Sequence, residues 1–252
     1  MKFYSTQKKY LSLLVVASWF TCGLQPTFAA STFSGNSSVT LTIDSITSSN
    51  GITSGLSIDG LFDVGNTTTA PGFGNYTTGD GQSTFSYNGA SLPTTVSAGN
   101  SINQLFSAQG GAGNGSVDSY YQAYGAFNFA NNSLGGIITV SFSLDYNLNA
   151  AASGQASQAD VSIDYYDDLG LINAGFDQAI ANAQTNINAV AGSGVPLLFN
   201  MVLNPGDFNT FYTDVAITGT ASASPVPLPT ALWMFLSGLI GLRSFKAKQG
   251  TS

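Results

Sequence analysis

The sequence has no histidine and no glutamate, and its six basic residues all sit at its ends. Lys2, Lys8 and Lys9 open the chain, and Arg243, Lys246 and Lys248 close it. Residues 30–222 contain no His, Cys, Glu, Lys or Arg. These gaps exclude much chemistry. A Ser-His-Asp triad cannot be built there, nor a zinc site of nitrogen and sulfur ligands. No cation is present to clamp a phosphate, so Gly113-x-Gly115 is a loop and not a nucleotide cradle. Paired aspartates remain as the one acid–base device, as glycosidases and aspartic proteases use them, yet no Asp-Thr-Gly or Asp-Ser-Gly occurs. The interior of the chain therefore reads as non-enzymatic. The single cysteine, Cys22, lies in the N-terminal segment, so residues 30–222 form no disulfide. Both tryptophans, Trp19 and Trp233, also fall in the end segments.

All 13 acidic residues are aspartate, and all lie between the basic ends. The formal charge of -7 thus conceals a middle with 13 acids and no base. Such a domain repels DNA, RNA and anionic lipid, so no nucleic-acid partner is expected. Its carboxylates must be solvated, held by N–H donors, or bound to metal. Oxygen ligands suit calcium. Asp160, Asp164, Asp167 and Asp168 are the densest cluster and form the candidate calcium set; Asp59 and Asp63 form a smaller one. The competing expectation is a solvated acidic face with turn-forming aspartates, because no EF-hand or nonapeptide pattern is present. No other cofactor is expected.

The two ends read as targeting segments. A basic start, an apolar run Leu11 to Phe20, and Pro26-Thr27-Phe28-Ala29-Ala30 make a secretory signal cleaved after Ala29. At the other end, Pro225, Pro227 and Pro229 force an extended segment. An apolar run, Ala231 to Leu242, follows, and then the basic residues, placed as a cytoplasmic flank would be. The run is short for a stable span, which implies transient anchoring in an inner membrane. Three parts follow: 1–29 signal peptide, 30–222 folded domain, 223–252 sorting segment.

The tail resembles the PEP-CTERM sorting signal in its Val-Pro-Leu-Pro variant. Pro227, Leu228 and Pro229 stand for the motif, Leu232 to Leu242 for the helix, and Arg243, Lys246 and Lys248 for the basic cluster. The resemblance departs at Leu228, where the commonest form is acidic, and in the spread of the basic residues. It covers about the last 28 residues. It implies an exosortase and the secretion machinery as partners in a Gram-negative bacterium, cleavage near the motif, and release to the cell surface or an exopolysaccharide matrix.

Through residues 30–222 the dominant period is two. Residues 38–44, 137–146 and 159–165 alternate polar and apolar, and 196–203 and 208–218 are further strands joined by the turn Asn204-Pro205-Gly206-Asp207. An all-β, antiparallel β-sandwich of jelly-roll type is expected. Residues 199–223 look like the final hairpin common in PEP-CTERM proteins. Residues 176–191 fit either one short helix, through Phe176, Ile180, Ala183, Ile187 and Val190, or an alternating strand. Residues 65–82 and 107–116 are Gly-rich and read as loops. Tyr120, Tyr121 and Tyr124 either stack on sugars or bury one strand face. The function expected is an exported surface or matrix protein, associated with exopolysaccharide; the alternative is a secreted glycan-binding module, with or without structural calcium.

Overall fold

The computed structural model describes residues 30–64, 74–93, 95–185, 188–224, 235 and 237–239. Ala29, the motif Pro227, Leu228 and Pro229, and Arg243, Lys246 and Lys248 lie outside the described residues. Ala30 is exposed and precedes the first strand. In the tail, Phe235 and residues 237–239 are helical. No helix among the described residues is long and apolar enough to cross a membrane.

Twelve strands carry the body: β1 (Ser31–Ser48), β2 (Leu56–Val64), β3 (Gly74–Gly79), β4 (Gln82–Asn88), β5 (Ser101–Ala112), β6 (Gly115–Asn131), β7 (Ile138–Ser153), β8 (Ala156–Asp167), β9 (Gly175–Asn182), β10 (Ala189–Gly192), β11 (Leu197–Leu203) and β12 (Phe208–Ala223). They form two antiparallel sheets. The first runs β10-β7-β1-β5-β4, with β11 also on β7; the second runs β2-β6-β12-β8-β9, with β3 also on β6. The all-β sandwich expected from the alternation is the fold. Most connections pass from one sheet to the other, so neighbours in sequence are seldom neighbours in a sheet.

Alternate residues bury one side of each strand because successive side chains point to opposite faces. Ile138, Val140, Phe142, Leu144, Tyr146 and Leu148 share the inner face of β7. Along β1 the inner residues are Phe33, Val39, Leu41 and Ile43, and then the period slips by one. The register shifts between Ile43 and Ser45, leaving Asp44 unpaired and bringing Ile46 opposite Val140. One bulged residue thus restores the inner face. Large aromatics fill the gap of roughly 10 Å between sheets. Phe129 of the second sheet stacks on Phe142 of the first at 5.3 Å, and Phe142 meets Phe211 edge-on at 5.0 Å.

The two ends of the body are stitched together. Ser31 is fully buried; its hydroxyl donates to the Ser222 carbonyl at 2.7 Å and accepts from the backbone N–H of Gln155 at 3.0 Å.

Two sequence expectations need correction, and one left open is resolved. Residues 107–116 are not a loop: β5 runs to Ala112 and β6 starts at Gly115. The glycines there serve packing. A Cβ on Gly110 of β5, or on Gly219 of β12, would fall inside the Phe33 ring, which lies between them. Likewise 74–79 is strand β3, and β4 begins at Gln82. Residues 65–73 lie outside the described residues. Second, β11 and β12 are not a hairpin, although their turn forms as read. The Asp207 N–H reaches the Asn204 carbonyl at 3.0 Å, and Gly206 has φ 87°. β12 is already flanked by β6 and β8, so it has no free edge, and β11 joins β7 in the other sheet. Third, the stretch 176–191 forms strands β9 and β10 and no helix among its described residues. The edge of β8 supplies backbone partners, and the small residues Ala179 and Ala181 face the core while Phe176 and Ile180 stay exposed.

Candidate functional site

The outer faces of the two sheets differ in chemistry. On the first, Thr32, Ser34, Asn36, Ser38, Thr40 and Thr42 of β1 lie beside Asn103, Ser107 and Gln109 of β5 and Asn147 and Asn149 of β7. Amides and hydroxyls dominate it.

The second sheet's outer face carries acids and tyrosines. Its rows follow from strand register. Tyr76, Asp118, Thr220, Gln158 and Asn182 are successive cross-strand neighbours over β3, β6, β12, β8 and β9. They line an open groove of 430 Å³ at this end of the sheet. Four interstrand steps of about 4.8 Å make the row roughly 19 Å long. Tyr76 is 69% exposed, its ring free to stack. Further along, Asp63, Tyr124, Asp214 and Asp164 form another row. Beyond it, Tyr166 and Tyr212 stack face to face at 5.1 Å.

The tyrosine hydroxyls are aimed at the carboxylates. Tyr166 donates to Asp214 at 3.3 Å, Tyr212 to Asp168 at 3.3 Å, and Tyr124 to Asp63 at 3.4 Å. Burial raises the Asp214 carboxyl above its ordinary range; the Tyr166 bond opposes this, and the facing Asp164 charge adds to it. Burial also raises Asp160, against the bond it accepts from Gln178 at 2.6 Å. Burial and then the nearby Asp214 and Asp164 charges push the Tyr120 phenol up. Asp164 and Asp214 stand directly opposite each other, a like-charge pair that destabilises an isolated sheet.

The four aspartates of the candidate calcium set part ways. Asp160 and Asp164 point outward from β8, while Asp167 is buried at its end. Its carboxylate accepts from Asn209 Nδ2 at 2.7 Å and from the backbone N–H groups of Leu171 and Ile172 at 2.9 and 3.1 Å. Burial alone would raise its pKa, but these donors outweigh it and hold the group below the usual range. Asp168 pairs with Tyr212. Among the described residues, no three acidic side chains converge as a metal site would need. Asp59 and Asp63 face outward on β2, with Asp59 held by Asn128 Nδ2 at 2.6 Å.

Of the three tyrosines read from the sequence, Tyr120 and Tyr124 are on the outer face. Tyr121 is buried, its hydroxyl 2.7 Å from Ser83 Oγ. Sequence reading missed Tyr76, Tyr166, Tyr212 and Asp214. The shared parity of Tyr212 and Asp214, and of Asp164 and Tyr166, was the available signal. Their convergence from separate strands was not.

No family model matches the sequence, and no curated protein is similar to it.

Proposed function

We propose that this chain is an exported, non-enzymatic protein, trimmed at both ends and retained at the outer surface or in an exopolysaccharide matrix. One observation carries this proposal: all the described strands lie between Ser31 and Ala223, while every basic residue lies outside those bounds. Cleavage after Ala29 and near Pro227 would remove none of the described strands and leave an acid-only domain. A secretory signal and an exosortase-type sorting signal account for the excess segments. Intact mass of the extracellular protein tests it. Mature material should begin at Ala30 and lack the basic tail; extracellular protein that retains Lys246 and Lys248 would defeat it.

A glycan-binding role has its own support in the row from Tyr76 to Asn182. An exposed ring beside Asp, Gln, Asn and Thr side chains offers stacking together with hydroxyl-directed hydrogen bonds. Its length suits a few sugar units. The acid-only surface disfavours uronate polymers and favours neutral or amine-bearing ones. Binding to an array of neutral, amino and uronic oligosaccharides should be saturable for the first two classes and absent for the third. Tyr76→Ala should weaken it about tenfold, the loss of one stacking contact. Equal binding by Tyr76→Ala would place the ligand elsewhere.

A further inference from the structure

Among the described residues, β11 is the longest apolar strand edge without protection. β11 lies on β7 through one edge only; among the described residues no strand pairs with its other edge. The remaining edges are short, polar or covered: β10 has only four residues, and β3 is Gly-Asn-Tyr-Thr-Thr-Gly. On β2, the Phe62 N–H bonds the Ala90 carbonyl, and the Leu92 N–H bonds the Gly60 carbonyl. β4 is polar along its outer face, and β9 carries Asp177. β11 has none of the usual guards: no charge, no proline and no bulge interrupts Leu-Leu-Phe-Asn-Met-Val-Leu. Leu198 is 75% exposed and Val202 49%.

Its sequence is also symmetric in character about Asn200. Leu197 answers Leu203, Leu198 answers Val202, and Phe199 answers Met201. An antiparallel strand placed against a copy of itself, centred on Asn200, sets each of these residues opposite its counterpart. Directly opposed residues lie on the same face of a sheet. Leu198 would then cover Val202 of the copy, twice over, on the outer face. The two Asn200 side chains would meet on the axis; each Oδ1 already accepts from Ser141 Oγ at 2.6 Å, and each Nδ2 is placed to donate across it. Pro196 immediately before the strand and Pro205 shortly after it limit the pairing to this segment.

We propose that β11 is a self-association edge, joining two copies of this chain in a two-fold antiparallel pair centred on Asn200 and continuing the first sheet across both. The pairing is isologous, so it closes at a dimer and does not propagate. It leaves the tyrosine–aspartate faces of the second sheets free. Two such faces in one particle would bind a repetitive polymer with avidity.

The test uses the whole chain with Cys22→Ser, so that an introduced cysteine is the sole thiol. Opposed Cα atoms across an antiparallel pair lie about 4.5–5.5 Å apart, within disulfide reach. Asn200→Cys should give a reducible species of twice the monomer mass under mild oxidation. Ser86→Cys on the β4 edge and Asn36→Cys in mid-sheet should stay at monomer mass. Light scattering of the unmodified chain should also give twice the monomer mass. Leu198→Lys with Val202→Lys, both on exposed side chains, should halve it with an unchanged β-type circular dichroism spectrum. A monomeric unmodified chain, a dimer indifferent to the lysines, equal cross-linking at Ser86→Cys, or growth beyond the dimer would each overturn the proposal.

Discussion

Asp167 is an acid without a base, and its environment shows how this protein manages charge. Three N–H donors replace the missing cation and order the chain after β8. Asp167→Asn cannot accept all three, which leaves buried donors unpaired at about 1–3 kcal/mol. A lowered unfolding midpoint is the expected outcome, read by thermal denaturation. The sign with pH follows from the lowered pKa. Its contribution is full above the ordinary carboxylate value of about 3.9 and is lost as pH falls through the folded value. Asp214 behaves oppositely. Its folded pKa is raised by burial and by Asp164, so its ionisation removes stability as pH rises from the ordinary range through the folded value. Asp214→Asn keeps an acceptor for Tyr166 and deletes the charge. It should raise the midpoint at neutral pH and lose that advantage in acid. A lower midpoint at neutral pH would mean that the carboxylate itself is needed there.

At the scale of elements, composition misleads where packing decides. The run from Gln109 to Gly115 looks like flexible chain, yet Gly110 and Gly219 together accommodate the Phe33 ring. Amide exchange should therefore be slow across 107–112, paired as it is to β1 and β4, and faster at 113–114. Rapid exchange through 107–112 would return the stretch to a loop. Gly110→Val should cost about 1–3 kcal/mol by overpacking against Phe33. The cost should shrink in a Phe33→Leu background, and a double-mutant cycle measures the coupling. β9 carries the converse lesson. Its helical spacing of Phe176 and Ile180 has no bearing on burial, because both side chains stay exposed once the edge of β8 captures the backbone.

Over the whole domain, the electrostatics are dominated by self-repulsion. Asp59, Asp63, Asp118, Asp160, Asp164 and Asp214 share one sheet face, and no base lies anywhere in 30–222. Screening shortens from about 10 Å at 0.1 M to about 3 Å at 1 M salt. The unfolding midpoint should rise steadily over that range of sodium chloride. The acids are spread along the face, and Asp59, Asp63, Asp160 and Asp214 accept from their own amide or tyrosine donors. Calcium and magnesium at matched ionic strength should therefore match sodium chloride. A calcium-specific rise, abolished by Asp164→Asn, would instead reveal a structural ion, stabilising by binding the folded state alone.

The amino-acid sequence alone determined the strand-forming pattern, the inner face of β7 and β8, the turn at 204–207, and the confinement of positive charge to the ends. Each of these is local: period-two burial, turn chemistry and charge count need no partner strand. The slip of period between Ile43 and Ile46 was also written there, and only pairing with β7 turned it into a bulge. The tertiary structure decided which strands became neighbours. It sent β11 to one sheet and β12 to the other, buried Asp167 away from Asp164, and lined up Tyr76, Asp118, Thr220, Gln158 and Asn182 from five strands. Such rows depend on register between residues far apart in the chain, which hydrogen-bond pairing and core packing set together and local pattern does not encode.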